Sequence, residues 1–154
     1  MPGPTAASSR AKPRVFIDAD VLFAGSASPS EHGASLVVLR MAEITLVEAY
    51  CSEQVLREVE RNLQAKLPQA LPAFRLLVAR CLKIVPDPSQ AAVQENAGLA
   101  EAMDLPILVA ARLAGCSWLV TFNARHYRPG HPAVQVLPPG EFLQRVRDIL
   151  VHLR

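Results

Sequence analysis

The sequence predicts an α/β domain built on a mainly parallel central sheet of about five strands, and three observations carry that expectation. Short apolar, β-favouring runs recur at residues 15–17, 45–47, 83–85, 118–121 and 134–137. Stretches with helical spacing of apolar residues separate them, the alternation that builds parallel sheets. The first run, Val15-Phe16-Ile17, ends abruptly in two acids, Asp18 and Asp20. A buried parallel strand reads as a near-continuous hydrophobic run, and ligands of open α/β sheets bind outside the carboxyl ends of the strands. One such acid has an ordinary explanation: Asp18 caps the next helix and Asp20 faces water. A site requires other acids to converge on the same place.

Length and composition bound the answer. At 154 residues the chain is most simply one domain, 14–154. A tail precedes it at 1–13, rich in Pro and small residues, with Arg10 and Lys12 its only charges. A 51% hydrophobic and 19% charged composition describes a compact globular chain. The net charge of +2 permits a polyanionic partner but falls short of the strongly basic profile of a dedicated nucleic-acid binder. Cys51, Cys81 and Cys116 are odd in number and far apart, so they suggest reduced thiols rather than a zinc site or a disulfide framework. The first residues lack the apolar segment of a signal peptide, and no apolar run reaches the length of a membrane span. A soluble, cytoplasmic protein with no membrane partner is the expectation.

Taken in order, the strand at 15–17 is followed by a Gly- and Ser-rich loop at 25–33, then a helix at 34–42 and a strand at 45–47. Ser52 reads as an N-cap with Glu53 in the first turn, ahead of Val55, Leu56, Val59 and Leu63, in a helix that ends before Pro68. A helix at 71–82 has Pro72 near its start, and the strand at 83–85 is stopped by Pro86-Asp87-Pro88. Residues 90–102 read as a weakly patterned helix interrupted by Gly98. Asp104 caps a helix at 105–114 with Gly115 at its end. The strand at 118–121, a turn at 128–132, the strand at 134–137 and a closing helix at 139–153 complete the chain.

Three acids fall in mechanically similar places: Asp18 after the first strand, Glu58 on the helix opened by Ser52, and Asp104 at the start of the helix leading into the fourth strand. Glu53, Glu60 and Glu95 read as ordinary helix surface. Clustered carboxylates repel one another and need a counter-charge, which a hard divalent ion with oxygen ligands supplies. Such a site suits phosphodiester hydrolysis, because the ion lowers the pKa of a bound water and neutralises charge growing on the phosphorus.

The segments Phe-Ile-Asp18-Ala-Asp20-Val-Leu, Glu58-Val-Glu-Arg61-Asn62-Leu63, Asp104-Leu-Pro-Ile-Leu-Val-Ala-Ala111 and Leu-Val-Thr121-Phe-Asn123-Ala-Arg-His-Tyr127 resemble the successive motifs of the PIN domain. The match is closest to the group related to the toxins of bacterial toxin–antitoxin pairs. It runs in order from about residue 14 to residue 140. The resemblance implies a Rossmann-like α/β/α sandwich and a Mg²⁺- or Mn²⁺-dependent ribonuclease, with an antitoxin protein and a homodimer among its partners. Asp18, Glu58 and Asp104 match the metal-site acids. Asn123 joins them as a catalytic candidate, where many PIN nucleases carry a fourth Asp. Asp20 matches a position that is often Asn, and with Thr121 it would support the ligands. Arg125 is the candidate contact to RNA phosphate. His126 stays outside the ligand set, because no partner His at ligand spacing accompanies it. Trp118 and Phe122 read as core and strand-end packing rather than base-stacking platforms.

Two rivals stand beside this reading. A phosphatase of the haloacid dehalogenase type would use Asp18-x-Asp20 and the Thr121 hydroxyl. It needs an acidic pair after that hydroxyl, yet the only later acids are Glu141 and Asp148, both in the closing helix. The other rival is a catalytically weak PIN-like module that binds RNA or protein, for which Asn123 is the best support.

Overall fold

The computed structural model describes residues 12–27, 33–44 and 46–152. Five strands, β1 (Arg14–Ile17), β2 (Glu48–Ser52), β3 (Leu82–Val85), β4 (Trp118–Val120) and β5 (Gln135–Leu137), form one sheet in the order β3-β2-β1-β4-β5. All four pairings are parallel. Among the described residues seven α-helices accompany them: α1 (Ala19–Ala27), α2 (Ala34–Glu43), α3 (Glu53–Lys66), α4 (Leu71–Cys81), α5 (Gln90–Glu95), α6 (Leu105–Leu113) and α7 (Pro139–Val151). Right-handed crossovers from β1 outward to β3 put α1 to α4 on one face, where they pack on one another. The chain then recrosses β1 to reach β4, so α5 and α6 cover the other face and complete an α/β/α sandwich. Strand β1 is central, and Val15, Phe16 and Ile17 are wholly buried.

Five expectations need correction. The loop expected at 25–33 begins as helix: α1 runs to Ala27, and residues 28–32 lie outside the described ones. Gly25 belongs to α1 for a packing reason, since a Cβ there would lie 2.6 Å from Leu39 Cδ1 on α2. The second strand is not at 45–47 but starts at Glu48; Thr45 lies outside the described residues, while Leu46 and Val47 form a bend. Glu48 opens the strand as a charged residue, and Arg14 on β1 and Lys83 on β3 flank it at 3.5 and 3.2 Å. The helix expected at 90–102 stops at Glu95, and Gly98 takes a left-handed φ of +88°. Residues 96–104 then carry turns and bends up to the start of α6. Phe122 does not pack at the strand end; it is 52% exposed, whereas Trp118 packs edge-on against Phe142 at 5.5 Å. The closing helix ends at Val151, and Leu153 lies outside the described residues.

Helix α3 is held at its start by two caps. Ser52 Oγ accepts from the Val55 N–H at 3.4 Å. Asp87, 33 residues further on in the turn after β3, accepts from the Gln54 N–H at 2.8 Å. Asp87→Ala is expected to cost about 1 kcal/mol, in the range of a lost N-terminal cap, read as a lower urea midpoint at unchanged slope. Cys51 and Cys116 are buried thiols pushed up to about 12 by desolvation, and Cys81 is half-buried; all three are free. Among the described residues no helix is long and apolar enough to cross a membrane.

Candidate active site

The chain leaves β1 toward β2 on one side and leaves β4 toward β5 on the other, so the carboxyl ends of β1 and β4 form the point where strand order reverses. A crevice opens there in sheets of this kind. A cavity of about 440 Å³ occupies it, lined by Asp18, Asp20, Glu58, Glu101, Asp104 and Asn123, with His126 the only basic side chain in its wall among the described residues.

Asp18 is 7% exposed and follows Ile17 directly. Its backbone N–H donates to the Val120 carbonyl at 3.0 Å, which extends the β1–β4 ladder by one residue and fixes its direction. The carboxylate accepts three hydrogen bonds: from the Ala19 N–H at 2.7 Å, the Thr121 hydroxyl at 2.9 Å and the Tyr127 hydroxyl at 2.7 Å. Thr121 is fully buried, and Tyr127 is nearly so in a 3-10 turn, Ala124–Tyr127. Burial and then the Asp18 charge push the Tyr127 phenol far above its ordinary range, so it is a permanent donor. Tyr127→Phe removes one of these donors, with an expected loss of roughly 1.5–3 kcal/mol in urea unfolding of the metal-free chain.

Asp20 sits in the first turn of α1. One of its oxygens accepts from the Phe122 N–H at 3.1 Å and the Asn123 side-chain amide at 3.0 Å. The other, Oδ1, is buried with no hydrogen-bond partner among the described residues. Desolvation first, and the Asp18 charge second, raise its pKa to about 6 against the lowering effect of the Phe122 N–H. Glu58, in the second turn of α3, is raised by burial and then by Asp18 and Asp104, with Arg61 opposing. Asp104 is the N-cap residue of α6, but its side chain accepts no capping hydrogen bond, which leaves the carboxylate for the cavity. Burial and Asp18 raise it too, and His126 opposes.

All four acids anticipated from the sequence, with Asn123 and Thr121, therefore meet at one edge. The tightest grouping is a different one: the ligand atoms of Glu101, Asp104 and His126 all lie within 4.8 Å of one another. Sequence reasoning passed over Glu101 and His126, and it gave Tyr127 no role. Only the position of Tyr127 four residues beyond Asn123 hinted at a turn folding back on the strand end. Arg125 is exposed and does not line the cavity. The residues present suit a divalent cation: five carboxylates line one cleft, and one buried carboxylate oxygen lacks any hydrogen-bond donor.

A family model described as PIN domain matches residues 14–125. No curated protein matches the sequence. Among solved structures, the fold is similar to VapBC2 from Rickettsia felis bound to a DNA fragment from its promoter, with a TM-score of 0.60 at 15% identity, covering 81% of this chain and 98% of that one. FitAcB from Neisseria gonorrhoeae gives 0.58 at 15%, covering 82% and 98%. PAE2754 from Pyrobaculum aerophilum gives 0.58 at 17%, covering 88% and 96%. At these identities the likeness is one of fold.

Proposed function

The chain belongs to the PIN domain family, and on that premise we propose that it is a divalent-metal-dependent ribonuclease, the toxin of a toxin–antitoxin pair. The observation that carries this reading is the acidic cavity at the switch point, where Asp18, Glu58 and Asp104 face one space beside Asn123. Those three acids would hold Mg²⁺ or Mn²⁺, and the ion when bound would activate water and offset charge on the scissile phosphate. The chain's own part is preorganisation. Thr121 and Tyr127 lock the Asp18 rotamer, Phe122 N–H and Asn123 hold Asp20, and α3, capped twice at its start, carries Glu58 in its second turn. Arg125, exposed in the 3-10 turn that follows β4, is the candidate phosphate contact. An antitoxin chain and a second copy of the protein are the partners that go with the reading, as does a cytoplasmic location.

The ribonuclease reading is tested with single-stranded and structured RNAs in Mg²⁺, Mn²⁺ or EDTA. Cleavage that needs the metal supports it. A second reading, a catalytically weak module, is favoured by one observation: the Asn123 amide donates to Asp20 and brings no negative charge to the cavity. Tight RNA binding without cleavage in any metal would select that alternative.

The raised carboxyls have a measurable consequence. Asp20 holds its proton to about 6 in the folded chain, against an ordinary value of 3.8, and Glu58 and Asp104 shift in the same direction. Between those pH values the folded state binds more protons than the unfolded one, so metal-free stability falls as pH rises through that window. A divalent ion competes with those protons. Thermal unfolding is therefore expected to show a larger upward shift in Tm from Mn²⁺ at pH 7 than at pH 5.

A further inference from the structure

We propose that Phe122 is a stacking platform for one unpaired nucleobase beside the scissile phosphate, so that the RNA substrate is single-stranded at that point. This deepens the ribonuclease reading and rests on it. Phe122 is 52% exposed and is the only exposed aromatic side chain among the described residues. Leaving such a ring in water forgoes the stabilisation that its burial would bring. Its backbone, however, is tightly held. The Thr121 N–H donates to the Leu137 carbonyl at 3.0 Å, the Phe122 N–H to Asp20 Oδ2 at 3.1 Å and the Asn123 N–H to Thr121 Oγ1 at 3.1 Å. Three successive amides are thus tied to β5, to α1 and to the Thr121 side chain, and the ring is carried on backbone with little freedom. Its chain neighbours on either side belong to the cleft: Thr121 bonds Asp18, and Asn123 lines the cavity. A base belonging to the nucleotide held there has the ring within reach.

Charge gives the platform its purpose. The cleft is lined by five carboxylates and the net charge of the whole chain is only +2, so the electrostatic hold on an RNA backbone is weak. Stacking on an aromatic ring needs no charge and tolerates any base. Arg125 is exposed three residues on, in the same turn region, and pairs a cation with the ring as single-strand binders do. Bases within a duplex are stacked on one another and do not reach such a platform, which selects unpaired RNA. The competing occupant of the ring is a partner protein chain.

The test measures affinity for a labelled single-stranded RNA in Mn²⁺, in the Asp18→Asn background so that the RNA stays whole, with one nucleotide at a time made abasic. Phe122→Ala is expected to weaken binding of the intact RNA about 10-fold, and one abasic position to weaken binding of the Phe122 chain equally. The two changes together should cost no more than either alone. Phe122→Trp should keep the affinity. The dependence of log affinity on log salt should be unchanged in Phe122→Ala and shallower by about 0.7 in Arg125→Ala. Phe122 is a surface side chain, and far-UV circular dichroism verifies folding. Additive losses, or no binding of any RNA, would overturn the proposal. Unchanged affinity in Phe122→Ala would also overturn it and leave the ring to a protein partner. Metal-dependent cleavage by the wild type without this coupling would strike the platform alone. Coupling without cleavage in any metal would strike the ribonuclease reading and leave the platform as an RNA-binding contact.

Discussion

Asp18→Asn is expected to lower metal-dependent RNA cleavage by about 10³-fold or more, with the fold retained. Asp18 is the acid that the sheet itself positions, being tied to β4 through its backbone and satisfied by three donors through its carboxylate. An asparagine fills the same volume, and the Thr121 and Tyr127 hydroxyls can rotate to accept from its amide, so packing survives. The negative charge does not. Glu58 and Asp104 each feel Asp18 as a source of repulsion, and removing it should return both toward their ordinary range. Single-turnover rates at saturating Mn²⁺ measure the loss. A companion Mn²⁺ titration should show weakened binding in the same variant, which separates an effect on the ion from one on RNA affinity.

Phe16→Ala is expected to remove about 3–5 kcal/mol of stability, against a total of roughly 5–15 for a domain of ordinary stability. Phe16 is fully buried in the central strand, in register with Tyr50 on β2 and Leu119 on β4, and two residues before Asp18. Truncation opens a cavity between the central strand and the layer packed on that face of the sheet, and a strand fixed by neighbours on either side cannot collapse into it. Urea unfolding should show a lower midpoint. The fraction still folded should bind Mn²⁺ as the wild type does, because no ligand has been touched.

Much of this organisation is legible in the sequence because the buried strands are written as apolar runs with abrupt polar ends. Val15-Phe16-Ile17 then Asp18 gives both the central strand and its functional edge, and Ser52 marks the start of α3 to the residue. What stays hidden depends on partners distant in the chain. Helix α1 looks like a loop because Gly25 is there for the close approach of α2, a contact that local propensity does not encode. Strand β2 is masked by Glu48, whose charge is offset only once Arg14 and Lys83 lie beside it. The same holds for the site. Asp18, Glu58 and Asp104 emerge from order and setting. Tyr127, however, reaches Asp18 across 109 residues, and His126, beyond β4, comes within 3.7 Å of Glu101, ahead of α6. Asp87 capping α3 from the far side of β3 belongs to the same class.

The central claim is that the carboxylate cleft directs water at an RNA phosphodiester with a divalent ion in place, and the ends of the cleaved RNA test it most directly. Digestion of one RNA in Mn²⁺, beside a copy with a single 2′-deoxy nucleotide at the cleaved position, is expected to give a free 3′-hydroxyl and a 5′-phosphate from both. A 2′,3′-cyclic phosphate, with the 2′-deoxy copy left intact, would mean that the RNA's own hydroxyl attacks and would contradict the account.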